Sequence, residues 1–505
     1  MPTTILRTRN GYLDQEDEAK FDALSARLIA DAAPLMIHIH GGLVDEDTGV
    51  SGAERLAGPQ GYVPPDEYEQ LFIVWRSGLL ETLRTNWREL HRRDRLYRSL
   101  IGKLLEFTAR KLGLPIPSAM GPESIGGAPI AYNARMDIER RLASSDPARF
   151  ADIEALLDRE SPDIAGISED DFAAELEAEL ANDTALIAVA QDIEAVFAPA
   201  AESLSFVGNS SEGREVLDRL NPEVVGQLRT QFSVQSGAEG FGFSVLRKLI
   251  VYGAKIGWRV WRRFRSGRDH GIHATVIEEI LRELYGDHIG SAIWTLMKDD
   301  TADHFKGRLG SRLLDLIQNS GERRIVLIGH SAGAVMVCNL LRAWQQHGSD
   351  TGRKADVVFL APAVRDRYFA ETLALAPDRI DRFRMFCLND QREREDALFG
   401  SRWSFLYPSS LLYIVSGLFE DDDQEPNVDA PLLGMERFRR WQGGSLGGEE
   451  DAAAEAVKAF LASKPSSQVY APSQAGSGLN SDARTHGGVD NDPDTLESVR
   501  DAFLT

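Results

Sequence analysis

Residues Arg323 to Leu341 read RRIVLIGHSAGAVMVCNLL. A short apolar strand runs into Gly329-His330-Ser331-Ala332-Gly333 and then, without a spacer, into a small-residue helix. A turn that tight is crowded and strained, so glycines must flank the serine, and the strand feeding it must be buried on both faces. Few folds offer such a strand. Similar apolar, β-branched or aromatic runs, each closing on polar or glycine residues, recur at Pro34–His40, Gln70–Trp75, Arg324–Gly329, Asp356–Ala361 and Arg382–Leu388. A weaker one lies at Ser467–Ala471, and helical patterns separate most of them. That alternation predicts an α/β fold: a mostly parallel sheet with helices on both faces.

The rhythm stops between about residues 77 and 303, a helix-rich stretch, acidic in its middle, with a Gly/Ser-rich interruption around 206–242. It predicts a core of residues 1–80 and 270–505 and a helical insertion, or cap, over 81–269. The 464–484 stretch, rich in Ser, Gly, Ala and Pro, reads as a loop.

Composition narrows the function classes. The chain has 505 residues, 43% of them hydrophobic, and a formal net charge of -22, which argues against nucleic acid as a partner. Its two cysteines, Cys338 and Cys387, sit in apolar runs and predict buried thiols, not a disulfide framework. The first residues, MPTTILRTRNGYLDQEDE, lack the apolar segment of a leader, and no uncharged run is long enough to span a bilayer. A soluble, cytoplasmic protein is expected.

A serine hydroxyl is a weak nucleophile at neutral pH and needs a base and a site for the developing oxyanion. Ser331 has the right setting. The second Gly-x-Ser-x-Gly string, Gly443–Gly447 around Ser445, follows ERFRRWQ and has no strand to feed it. Two histidines follow Ser331. His347 closes the nucleophile helix, away from the carboxyl edge of the sheet, whereas His486, in THGGVDND, can return to that edge as the base. The acid belongs after RFRMFCL, in LNDQREREDALFG, where Asp390 is nearest the strand end and Asp396 is the alternative. In HIHGG, Gly41 and Gly42 can bring backbone amides to the oxyanion, together with that of Ala332. His38 and His40 could instead open a metal site, but the later strand ends offer a poor ligand set, so neither metal nor cofactor is expected.

These pieces together (GHSAG, HGG, LND and THGGVDND) resemble the α/β-hydrolase superfamily, and the segments DHGIHATVIEEILRELYGDHIGSAIWTLMKDDTADHF and YPSSLLYIVSGLFE further resemble bacterial α/β-hydrolase proteins with a long helical insertion. The resemblance covers roughly residues 30–80 and 270–505. It implies an α/β-hydrolase fold and an esterase- or lipase-like Ser-His-Asp hydrolase acting on a small-molecule or lipid ester. The same triad would serve an amidase or an acyltransferase, and a non-catalytic hydrolase-fold module for lipid or protein contact is the alternative of another class.

One stretch opposes the acidic balance. On a helical wheel of Ser244–Arg268, Leu246, Leu249, Ile250, Ile256, Val260, Trp261 and Phe264 share an arc, with Arg247, Lys248, Lys255, Arg259 and Arg262 mostly opposite. Such a basic amphipathic helix has two expected roles. It is either a cap helix with its basic face in water, or a peripheral membrane contact through Arg259, Trp261, Arg262, Arg263 and Phe264.

Overall fold

The computed structural model describes residues 3–9, 11–30, 33–41, 45–59, 61–62, 68–75, 79–111, 168–198, 208–235, 244–265, 271–286, 291–306, 308–319, 323–347, 352–400, 406–420, 429–441 and 446–504. It is an α/β structure built on an eight-stranded sheet. The strands are β1 (Thr3–Arg9), β2 (Tyr12–Leu13), β3 (Leu35–Ile39), β4 (Glu69–Trp75), β5 (Ile325–His330), β6 (Ala355–Leu360), β7 (Ile380–Leu388) and β8 (Gln468–Ala471). Their order is β2-β1-β4-β3-β5-β6-β7-β8, parallel throughout except for the antiparallel edge strand β2.

Side chains alternate across the sheet, and both faces are apolar, which is why the inner strands read as continuous hydrophobic runs. Ile37, Leu327, Val357 and Met385 enter the larger core, with the helices Gly333–His347 and Ser244–Arg265. Met36, Val326, Ile328, Val358 and Phe386 face the other way, against Leu56 and the C-terminal Leu496, Val499 and Phe503. Strand β1, absent from the expected set, pairs Ile5 with Phe72. Its sequence TTILRTR alternates buried and half-buried residues, and Arg7 is bound by Asp17 and Glu16, so it carries no continuous apolar signal.

Between β4 and β5 the described residues form helices and no strand. Over residues 79–265 the described helices are Leu79–Arg93, Arg95–Lys111, Glu169–Ala181, Thr184–Phe197, Ser210–Leu217, Pro222–Gln235 and Ser244–Arg265. The last of these sits close to its neighbours because of two glycines. A Cβ on Gly253 would meet Leu180 at 2.5 Å, and one on Gly257 would meet Leu176 at 2.3 Å. Trp87, Leu104, Phe172 and Trp261 of these helices belong to the same buried cluster as Ile37 and Leu327 of the sheet.

Strand β8 is the weak run expected at Ser467–Ala471, and the rest of the 464–484 stretch, expected as a loop, carries a small antiparallel pair, Ser473–Gln474 with Asn480–Ser481. It is held by Ser473 donating to the Leu479 carbonyl and by the Asn480 amide donating to Ser498. Polar composition hid these bonds from the sequence reading.

Parallel pairing of β3 with β5, in register from Leu35↔Ile325 to Ile39↔Gly329, brings the two strands to the same edge despite the long insertion between them. The ends of β3, β5, β6 and β7 therefore gather Gly41, Ser331, Ala363 and the 389–396 segment at the carboxyl edge of the sheet, where parallel α/β sheets place their sites.

Candidate active site

Ser331 follows β5 directly and has φ 53, a left-handed conformation that L-residues adopt only when the surroundings impose it, at about 1–3 kcal/mol. The surroundings do so. Its amide donates to the Leu360 carbonyl at 2.8 Å, and its own carbonyl accepts from Ala334 and Ala363, both at 3.1 Å. The flanking glycines are sterically required. A Cβ on Gly333 would lie 2.3 Å from the Ile39 carbonyl oxygen, and one on Gly329 would lie 2.9 Å from Ala334 backbone atoms.

His486, 155 residues further along, opens a short 3-10 turn, His486–Gly488, just before the helix Pro493–Val499. Its Nε2 lies 2.9 Å from Ser331 Oγ, and both residues are buried. Burial, and then the neighbouring charge of His330, push its pKa down to about 3 against the opposing pull of Asp490. The ring is therefore neutral at pH 7. With Nε2 accepting the serine proton, the ring hydrogen resides on Nδ1, which has no hydrogen-bond partner among the described residues.

The acid nearest the strand end is engaged elsewhere, which corrects the preference for Asp390. Its carboxylate accepts from Tyr413 and, at 2.6 Å, from Arg394. Burial pushes its pKa up, but Arg394, Arg437 and Tyr413 outweigh that and hold it below the ordinary value. Asp396, by contrast, accepts the His486 amide at 2.6 Å. It is the carboxylate bound to the histidine residue itself, and burial raises its pKa to about 6, opposed by that amide. Asn389 explains the exchange. It caps the short helix Asp390–Glu395, so Asp390 begins a turn that packs on Tyr413 while Asp396, at the helix end, faces the histidine loop.

Gly41 lies against the nucleophile. A Cβ there would stand 3.1 Å from Ser331 Cβ and 3.7 Å from its Oγ. Gly42 falls outside the described residues. Ala332, buried, immediately precedes the nucleophile helix. His40 fixes the Gly41 turn: its Nε2 accepts the Trp75 amide at 3.1 Å and its Nδ1 donates to the Gly41 carbonyl at 2.5 Å. His38 packs between Tyr62 and Phe72. Burial drives His38 to about 3 and His40 to about 4, so both are neutral. Among the described residues no group of three or more His, Cys, Asp or Glu side chains is placed to hold a metal ion.

His330, Asp490 and Arg55 were not singled out in the sequence. Asp490 Oδ2 lies 3.3 Å from His330 Nδ1, and Arg55 donates to the Asp490 carbonyl at 3.0 Å. The only sequence signal was proximity: His330 is inside the pentapeptide and Asp490 inside THGGVDND. His347 lies at the end of its helix, with Nε2 3.2 Å from Asp315. Ser445 of the second Gly-x-Ser-x-Gly string falls outside the described residues.

The side chains expected to touch a membrane are mostly turned inward, which corrects that expectation. Trp261 is fully buried, and Arg263, 1% exposed, binds Glu279 at 2.9 Å and both Glu278 and Asp429 at 2.5 Å. Arg259 binds Glu283 at 2.6 Å. Arg262 is exposed, and Phe264 has no described side chain. Leu246, Leu249, Ile256, Val260 and Trp261 of the apolar arc belong to the protein's own buried core, and Glu283 binds Lys255 as well as Arg259. No helix among the described residues is long and apolar enough to cross a membrane.

Comparison with known proteins adds no family to this geometry: no family model, no curated protein and no solved structure matches the chain.

Proposed function

We propose that this chain is a serine hydrolase of the α/β-hydrolase type that cleaves a carboxylic ester through an acyl-enzyme. The observation that carries the reading is the 2.9 Å approach of a neutral, buried His486 Nε2 to the Oγ of a serine held at positive φ. Backbone strain of this kind concentrates at functional sites.

In this reading His486 takes the hydroxyl proton as Ser331 Oγ attacks the ester carbonyl carbon. The new C–O bond forms while the carbonyl electrons move to oxygen, and backbone amides beside Gly41 and at Ala332 receive that charge. The tetrahedral intermediate collapses, the alkoxide leaves with the proton from His486, and water attacks the acyl-enzyme by the same route in reverse. Asp396 supplies the negative charge that steadies the imidazolium formed in each half-reaction.

Rapid mixing with p-nitrophenyl acetate tests the reading. Wild type should show a burst of nitrophenolate followed by a slower steady rate, and Ser331→Ala should show neither. Equal hydrolysis by the two proteins would refute it.

A further inference from the structure

His330 takes no part in the attack, yet it is buried and both ring nitrogens are engaged. Its Nδ1 lies 3.3 Å from Oδ2 of Asp490, and its Nε2 lies 3.2 Å from the main-chain carbonyl oxygen of His486. An ionised carboxylate and a carbonyl are acceptors only, whereas a neutral imidazole has a single N–H. The neutral ring would turn a lone pair towards one of them. Only the doubly protonated ring satisfies both.

We propose that His330 is a positioning residue, an imidazolium that ties the 486–490 loop to the nucleophile elbow and so keeps His486 Nε2 on Ser331. The inference rests on the serine-hydrolase reading for its consequence, though not for the protonation state. The groups facing the ring support it. From β3 comes His38 and from just beyond its end His40, both neutral. From the helix Glu46–Ala57 comes Arg55, which holds Asp490 through the carbonyl at 3.0 Å and approaches its carboxylate at 3.7 Å. Tyr62, fully buried beside His38, stays protonated. From the loop come Asp490 and the stacked His486 ring, 5.8 Å away between centroids.

Burial favours ionising neither partner, but His330 outweighs it at Asp490, which is held down to about 2. At His330 burial lowers the pKa and Asp490 more than restores it, leaving it above the ordinary 6.5. The sign follows. The clamp is complete below pH 6.5 and opens as pH rises through the raised value of His330. It also adds to the burial that keeps His486 a free base, since a positive neighbour disfavours its protonation.

The test uses the full chain with 15N-labelled histidine, the His330 resonances being assigned by their loss in His330→Asn. At pH 7 both His330 ring nitrogens should show the protonated signature. Kinetically, kcat on a p-nitrophenyl ester should fall on an alkaline limb, and Asp490→Asn should move that limb to lower pH. It should also lower kcat about a hundredfold with KM unchanged, as expected for a misplaced catalytic group. In His330→Asn, whose amide donor does not titrate, the limb should vanish. A neutral His330 ring at pH 7, or an unmoved limb in Asp490→Asn, would overturn the proposal. A protonated ring in a protein without hydrolase activity would instead sustain the clamp and refute the hydrolase reading.

Discussion

Replacing Asp396 by Asn should abolish the proposed ester hydrolysis and, at the same time, stabilise the fold. The carboxyl is raised by burial from 3.8 to about 6, in spite of the hydrogen bond it accepts from the His486 amide. A group that holds its proton more tightly when folded loses stability as pH rises between the two values. At 1.36 kcal/mol per pH unit, that gap makes ionised Asp396 cost about 3 kcal/mol at neutral pH. An Nδ1–H bond from His486 to the same carboxylate would narrow the gap, so the figure is a ceiling. Asn keeps an oxygen for the amide and carries no charge. In urea unfolding, Asp396→Asn should therefore exceed wild type by roughly 1.5 kcal/mol at pH 5 and by up to about 3 kcal/mol above pH 6.5. Its kcat on p-nitrophenyl acetate should drop by about 10⁴, because the imidazolium loses its carboxylate. Asp390→Asn is the contrast: it weakens the contacts with Arg394 and Tyr413, so it should lower stability while leaving kcat within a few-fold. A variant Asp396→Asn that is less stable than wild type at pH 7.5, or whose advantage does not change with pH, would refute the argument. Wild-type kcat in that variant would remove Asp396 from the triad.

Two further substitutions examine the scaffold. Gly333→Ala places a methyl 2.3 Å from the Ile39 carbonyl oxygen, so the elbow must move. It should lose about 1–3 kcal/mol in urea unfolding and most of its esterase rate; wild-type behaviour would show that the turn has more room than its geometry allows. Arg263→Ala removes the guanidinium shared by the buried carboxylates of Glu278, Glu279 and Asp429, leaving Glu279 with Arg282 and Asp429 with Arg437, and should lose about 3 kcal/mol, with vesicle co-sedimentation no different from wild type. A stable variant that no longer follows vesicles would reinstate the membrane role.

The inner strands were legible because each is apolar on both faces, and the elbow because its glycines are needed for steric reasons that act within a few residues. Strand β1 escaped because it alternates buried and half-buried residues, and TTILRTR has too few apolar positions to stand out. The helical wheel of Ser244–Arg268 separated an apolar arc from a basic one, but a wheel cannot distinguish a protein core from a lipid surface. What decides is the position of Glu278, Glu279 and Asp429, the last 166 residues away from Arg263. The approach of Asp396, and not of Asp390, to the histidine loop was hidden for a related reason. Distance from the strand end was the only guide in the sequence, whereas the structure turns on the Asn389 cap and on Tyr413, both of which draw Asp390 aside. His330 and Asp490 were visible as letters, but their pairing depends on a loop returning across the sheet edge.

The central claim is that His486 makes Ser331 the reactive serine of this chain. Labelling with a fluorophosphonate, digestion and mass spectrometry of the peptides tests it most directly, because the probe reports an activated serine whatever the natural substrate. Wild type should carry the phosphonate on Ser331, and His486→Ala should lose it. Labelling at another residue, or undiminished labelling of Ser331 in His486→Ala, would contradict the account.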